Sequence, residues 1–303
     1  MSSIQSDALK SLYKSWAASM ADNPNMPLDE LRRMFEHWAD VTAEPGGVDY
    51  IEVDAGGVPG LWAVPKGVRQ DRVLQCTHGG GYVCGSMYSH RKMYGHFAKT
   101  FGCRALILNY RCAPEHPHPA PVDDTTSAYQ WLLDQGIRPQ HVALTGDSGG
   151  GGLALATVLR ARERGLPMPS AVIPLSPWLD MEATGETYQS NSDKDALVTR
   201  GIVLGMATTF LGEGGNRQDP LANPLLADLR GMPPMYIQVG GDETLLDDSR
   251  RLAEKARSEG VEVIFEIEPG MQHVYHFLAG VTPQADAAIL RLADWVRPKL
   301  GLG

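Results

Sequence analysis

The 303-residue chain is predicted to fold as an α/β protein around a mainly parallel sheet of about eight strands, with helices on both faces. Two observations carry this reading. Eight short apolar, β-rich runs recur along the chain, and from the third onward segments of helical spacing lie between them. Most of the runs are bounded by Gly, Pro or Asp, and they read as strands buried on both faces.

Taken in order, residues 1–45 hold two amphipathic helical stretches, "DALKSLYKSWAASMA" and "PLDELRRMFEHWADV". Tyr50–Val53 and Leu61–Val64 precede any crossover helix, so they are expected to pair as an antiparallel hairpin at the sheet edge. Strand Arg72–Thr77 leads through "THGGGYVCG" to a helix over Ser89–Phe101, where Met93, Phe97 and Phe101 are spaced by four. Then come strand Arg104–Leu108 and helix Thr125–Gln135, strand Val142–Thr145 and helix Gly150–Arg164, and strand Ala171–Leu175. A polar, irregular stretch at 182–225 contains one helix, Thr199–Leu211. Strand Met235–Val239, helix Leu246–Ser258, strand Val263–Ile267 and helix Pro283–Arg297 complete the series. Segments 1–45 and 182–225 break the alternation. They are expected to form a small helical lid in two parts over the sheet's carboxyl edge, with 46–181 and 226–303 as the core.

Composition removes several functions. A formal charge of −9 disfavours a binder that tracks nucleic-acid phosphates, and no Lys/Arg run suggests an anionic membrane surface. No window approaches the roughly 20 apolar residues of a membrane span. The N-terminal residues lack a cationic region followed by an apolar stretch, so no signal peptide is expected. Cys76, Cys84, Cys103 and Cys112 show no C-x-x-C spacing. They read as reduced thiols of a cytoplasmic protein, with no metal site.

The chemistry centres on "GDSGG", residues 146–150. The five letters occur around the nucleophile of trypsin-like proteases, yet they also fit the G-x-S-x-G turn. A strand before Ser148 and a helix after it are the context of a nucleophile elbow, and the all-β protease context is missing. The helix N-terminus would aim N–H groups at an oxyanion formed there. The glycines of "HGGGY", residues 78–82, follow a strand, as an oxyanion loop does. No Gly-Lys-Ser/Thr follows them, which removes a Walker loop.

Only His273 and His276 follow Ser148. His273 is the loop-borne candidate base, and His276 is expected to pack. The turn after Met235–Val239 offers Asp242 and Glu243 as the orienting acid. Asp247 and Asp248 are expected to cap the next helix or face solvent.

These motifs, with "YRCAPEHPHPAPVDD" at 110–124, resemble the hormone-sensitive-lipase-like esterases of the α/β-hydrolase superfamily. The resemblance covers most of residues 72–280. It implies an α/β-hydrolase fold, with Ser148 as nucleophile, His273 as base, and Gly80, Gly81 and Gly149 as oxyanion donors. The family's D-P-L-x-D pattern aligns with "ETLLDDS" when Glu243 is the acid, with Asp242 as the alternative. Gly149 stands where relatives usually have Ala. His78 is expected to anchor the glycine loop. Arg111, Glu115, His116 and His118 are expected to hold the loop beneath the site. Tyr82, Trp178, Leu204, Met206 and Phe210 are candidate pocket residues. The implied activity is cofactor-free hydrolysis of short-to-medium-chain esters of small molecules through an acyl-enzyme. A lactone hydrolase, a deacetylase, a protease, and a non-catalytic receptor such as the plant gibberellin receptors are the alternatives. Relatives often pair through the sheet edge, which leaves a homodimer open.

Overall fold

The computed structural model describes residues 7–303, so residues 1–6 of the expected 1–45 segment lie outside the described residues. Helices α1 (Asp7–Asp22) and α2 (Leu28–Glu36) run into a 3-10 turn over His37–Val41. Their apolar faces bury Leu9, Tyr13, Trp16, Phe35 and Trp38. The hairpin β1 (Val48–Asp54) and β2 (Pro59–Pro65) follows, and it is antiparallel as expected.

The alternation then proceeds as β3 (Val73–Thr77), α3 (Met87–Phe101), β4 (Arg104–Leu108), α4 (Ala120–Asp134), β5 (Val142–Asp147), α5 (Gly149–Glu163) and β6 (Ala171–Leu175). The short α6 (Thr187–Ser190) and α7 (Arg200–Leu211) lead to β7 (Met235–Gly240), α8 (Leu246–Ser258), β8 (Val263–Glu268) and α9 (Pro283–Lys299).

Two helices start earlier than their periodicity suggests. Helix α3 begins at Met87 because Ser86 caps it, accepting from the N–H groups of Tyr88 and Ser89 while Ser89 Oγ accepts from Ser86 N–H. Helix α4 begins at Ala120, with Pro121 in its first turn, where the missing N–H would have had no partner anyway.

The strands form one sheet in the order β1-β2-β4-β3-β5-β6-β7-β8. Strands β3 to β8 pair in parallel, and β2 joins β4 antiparallel. Chain progress reverses between β3→β4 and β4→β5. Right-handed crossovers therefore place α3 on one face and α4 and α5 on the other. Helix α9 returns to pack on α3. With both faces covered, β3, β5, β6 and β7 are buried at every position.

Register brings the strand ends into line. Thr77 pairs with Gly146, Asp147 with Leu175, Leu175 with Gln238, and Gly240 with Glu268. Every candidate residue of the core motifs lies just past one of these ends, where parallel sheets present their crevice. Phe97, fully buried on α3 against Tyr94 and Phe101, is part of the packing that holds this rim. Phe97→Ala is expected to cost about 3–5 kcal/mol in urea unfolding.

Candidate functional site

Ser148 joins β5 to α5 with φ 55° and ψ −126°, a conformation that non-glycine residues seldom adopt. The turn is pinned on both sides. Ser148 N–H donates to Leu175 O at 2.9 Å, and Ser148 O accepts from the N–H groups of Gly151 and Trp178, both at 2.9 Å. The two flanking glycines differ. A β-carbon on Gly150 would collide with the carbonyl oxygens of Thr77 and His78, whereas one on Gly149 would lie 3.2 Å from Tyr82 and 3.3 Å from Gly81.

The glycine loop crosses directly over this turn. Its own fold is closed by the N–H groups of Val83 and Cys84, which donate to Gly80 O. Gly80 has φ 107°, and its approach to Cys84 O leaves no space for a side chain. The N–H groups of Gly80, Gly81 and Gly149 have no protein acceptor among the described residues. His78 stacks on Tyr110 at 4.2 Å and contacts Gly79 O through Nδ1 at 2.8 Å. Burial pushes its pKa down to about 3, so it stays neutral. Tyr110 Oη donates to His78 O at 2.7 Å. His78 thus sits as an anchor of the loop.

Asp147, beside Ser148, is a positioning group that motif reading passed over. It is buried and accepts from Tyr94 Oη at 2.7 Å and Gly79 N–H at 3.2 Å, with His90 Nε2 at 3.2 Å. Burial alone would raise its pKa, but His90 and Tyr94 hold it below the ordinary carboxylate range. One ionised carboxylate therefore ties the glycine loop to the serine turn.

Glu243 and His273 meet across the ends of β7 and β8. His273 Nδ1 lies 2.7 Å from Glu243 Oε2, and both side chains are buried. The other carboxylate oxygen, Oε1, accepts from Ser176 Oγ at 2.6 Å and from Gly240 N–H at 2.5 Å. Burial raises the pKa of Glu243. Burial pushes His273 down, but the Glu243 charge and hydrogen bond more than offset this and hold it above the ordinary histidine value. Ser176, at φ 45°, also accepts from Val274 N–H at 3.2 Å, so one hydroxyl spans the acid and the histidine loop. A polar residue directly past a buried strand was the available signal for it. Asp242, the alternative acid, is not the partner of His273; its N–H donates to Met271 O.

Segment 191–198 straps this pair from above. Asn191 Nδ2 donates to the carbonyl oxygens of Gly241 and Glu243, at 3.2 and 2.8 Å. Asp195 accepts from Thr244 N–H at 2.9 Å, and Gln272 Oε1 accepts from Ala196 N–H at 2.8 Å.

Ser148, His273, Gly80 and Gly81 open into one cavity with about 470 Å³ of unfilled space, its mouth included. Met20, Phe35 and Trp38 wall it from the N-terminal arm, Leu197, Val198, Ile202, Val203 and Met206 from the second inserted segment, and Trp178 and Leu245 from the core. Of the five expected pocket residues, Trp178 and Met206 line it. Tyr82, Leu204 and Phe210 do not. The rings of Tyr82 and Phe210 stack on each other at 3.8 Å within the core, and Leu204 packs against the core without reaching the cavity.

The remaining polar residues are structural. Arg111 forms a forked pair with Asp124, Glu115 pairs with Arg32 of α2, and His118 with Asp219. His116, expected to help hold the loop beneath the site, is instead exposed and makes no side-chain hydrogen bond among the described residues. His276 is buried, with Nε2 2.8 Å from Gln238 Oε1, and burial lowers its pKa to about 3. Asp247 and Asp248 do not face solvent. Asp248 accepts from the N–H groups of Leu179 and Asp180 because the chain leaving β6 folds back over α8, and burial raises its pKa to about 7. Among the described residues no three His, Cys, Asp or Glu side chains converge to hold a metal ion.

A serine turn, a glycine loop and a Glu–His pair on consecutive strand ends of a parallel sheet are the layout of an α/β-type serine hydrolase. Residues 74–277 match the family described as alpha/beta hydrolase fold, and the chain belongs to that family. Its place within the family is among the hormone-sensitive-lipase-like esterases. A crystal structure of an esterase from the bacterial hormone-sensitive lipase family superposes with a TM-score of 0.95 at 42% identity, covering 99% of this chain and 100% of that one. An acetyl-hydrolase of Streptomyces hygroscopicus is 38% identical over 89% of each chain. An esterase of Acinetobacter venetianus is 34% identical over 91% of this chain and 89% of its own.

The contrast between the two elbow glycines is testable. Gly150→Ala should lower stability by about 1–3 kcal/mol through overpacking against backbone. Gly149→Ala needs Tyr82 and Gly81 to give by only a few tenths of an ångström, so it should lower stability less than Gly150→Ala does in urea unfolding.

Proposed function

We propose that the chain is a serine carboxylesterase that hydrolyses neutral, short-to-medium-chain esters through an acyl-enzyme. The observation that carries this reading is the shared cavity. It collects the Ser148 hydroxyl, the His273 imidazole and the free N–H groups of the glycine loop, with Glu243 behind the imidazole.

The carboxylate of Glu243 accepts from Nδ1–H of His273, which leaves Nε2 as the basic nitrogen for Ser148; the two residues line the same cavity, without a hydrogen bond between them among the described residues. His273 takes the Ser148 proton as Oγ attacks the ester carbonyl carbon. The N–H groups of Gly80, Gly81 and Gly149 receive the developing oxyanion, each contributing about 3 kcal/mol to the barrier reduction. The imidazolium, stabilised by Glu243, returns its proton to the departing alcohol. Water then attacks the acyl-enzyme by the same route and frees the acid.

Apart from Ser148 and His273, the cavity is lined by apolar side chains and glycines, so it favours uncharged substrates. The enclosed part of the cavity is small, which suits a short acyl group. In this reading 1–45 and 182–225 form the cap, and the four free cysteines, three of them buried, fit a cytoplasmic enzyme. Removal of an acetyl group from other leaving atoms would follow the same steps, and the similarity to an acetyl-hydrolase favours acetyl esters and acetyl amides as the second substrate class. A receptor role is disfavoured because the Glu243–His273 pair is present.

Ser148→Ala should reduce turnover of p-nitrophenyl butyrate by about 10⁴–10⁶-fold without unfolding the protein. Activity of that variant at the wild-type rate would remove the assignment. Across p-nitrophenyl acetate to decanoate, kcat/KM should peak at the short end. Glu243→Gln should lower kcat by about 10⁴-fold. Without the Glu243 charge, His273 keeps the effect of burial and only the weaker pull of Asp195 and Asp147, so the acid limb of kcat/KM should move to lower pH.

A further inference from the structure

The N-terminal arm does more than wall the cavity. Tyr13, midway along α1, is fully buried, and its Oη donates to the carbonyl oxygen of His273 at 2.9 Å. Tyr13 Oη in turn accepts from Trp38 Nε1–H at 3.2 Å. Among the described residues Tyr13 is the one donor to the His273 carbonyl.

The arm holds the following residues too. Trp38 lies parallel to Phe277 with ring centroids 5.4 Å apart. Thr42 Oγ1 donates to Phe277 O at 2.6 Å, and Ala43 N–H donates to Ala279 O at 3.2 Å. Three carbonyls of the 273–279 loop are thus tied to residues 13–43. The loop's own geometry is strained, with Val274 at φ 50°.

We propose that Tyr13 is a positioning residue for His273, through which the N-terminal arm sets the orientation of the imidazole. The inference rests on His273 being the general base. The hydroxyl fixes the peptide that carries the His273 side chain. Without it a buried carbonyl loses its partner, and the loop can turn by small amounts. Misplacing a reacting group by about 1 Å can lower a rate by about 100-fold. Burial also raises the Tyr13 pKa well above its ordinary value, so the donor keeps its proton at any assay pH. Leu9 and Trp16, on the same face of α1, contribute by packing alone.

The test compares Tyr13→Phe with Met20→Ala, which alters the cavity wall on the same helix. The substrate is p-nitrophenyl butyrate. Tyr13→Phe should lower kcat about tenfold with KM changed less than twofold. It should also shift the acid limb of kcat/KM to lower pH, because a loosened His273 loses part of the hold of Glu243, its nearest negative charge, with Asp195 and Asp147 further off. Met20→Ala should change KM and leave the limb in place. Wild-type kcat and limb in Tyr13→Phe would overturn the inference. So would a loss of kcat that only follows a lower melting temperature and disappears on cooling, or an equal limb shift in Met20→Ala. Ser148→Ala assayed alongside separates the two levels. If it is inactive while Tyr13→Phe is normal, only the brace is wrong. If it is active, the reading of the site fails.

Discussion

Parallel pairing in register is the constraint from which the rest follows. Five neighbouring strands, β4, β3, β5, β6 and β7, point the same way, and β8 extends the set. The chain therefore leaves each of them on one rim. Hydrophobic burial drives this arrangement, because strands covered on both faces by helices remove apolar surface without alternation. The polar groups gathered on the rim are a consequence of where such strands must end. Ser148, Ser176, Glu243 and His273 are separated widely in sequence, yet each stands within a few residues of a strand terminus.

Once gathered, these groups are held by buried charge. Burial raises the proton affinity of both carboxylates, and their partners decide the net direction. Asp147 has donors enough to remain ionised against desolvation and acts as a clamp between the glycine loop and the serine turn. Glu243 is less fully compensated and is held by Ser176, Gly240 and His273. Its raised proton affinity is matched by that of His273, and the pair shares one strong hydrogen bond. Non-glycine residues at positive φ are few, and Tyr82, Ser148, Ser176 and Val274 all belong to loops at this rim. Local strain is concentrated where aim matters more than stability.

Much of this was legible in the chain itself. The alternation of apolar runs and helical spacings specified the order of elements, and the hairpin at β1 and β2 followed from the missing crossover. The motifs indicated that Ser148, the glycines and His273 would share one rim, and the family resemblance favoured Glu243 over Asp242 as the acid. What stayed hidden depended on side-chain direction across long separations. Phe210 and Tyr82 look like pocket residues by position, yet their rings stack on each other within the core and neither lines the cavity. Leu9, Tyr13, Trp16 and Met20 could be read as one face of α1, but no local pattern shows that the hydroxyl at 13 reaches a carbonyl 260 residues away. Asp248 looked like a helix-cap carboxylate, and only the returning chain at Leu179 and Asp180 explains its burial.

The arm and α7 wall the same cavity but differ in what else they touch. Trp38 and Phe35 are built into an aromatic cluster that reaches His90 and Phe277, so any change of their shape is transmitted to both ends of the reacting geometry. Ile202 and Val203 have no comparable obligations. Divergence in substrate choice among descendants of this chain should therefore accumulate along α7, while the arm drifts slowly, confined by its second duty.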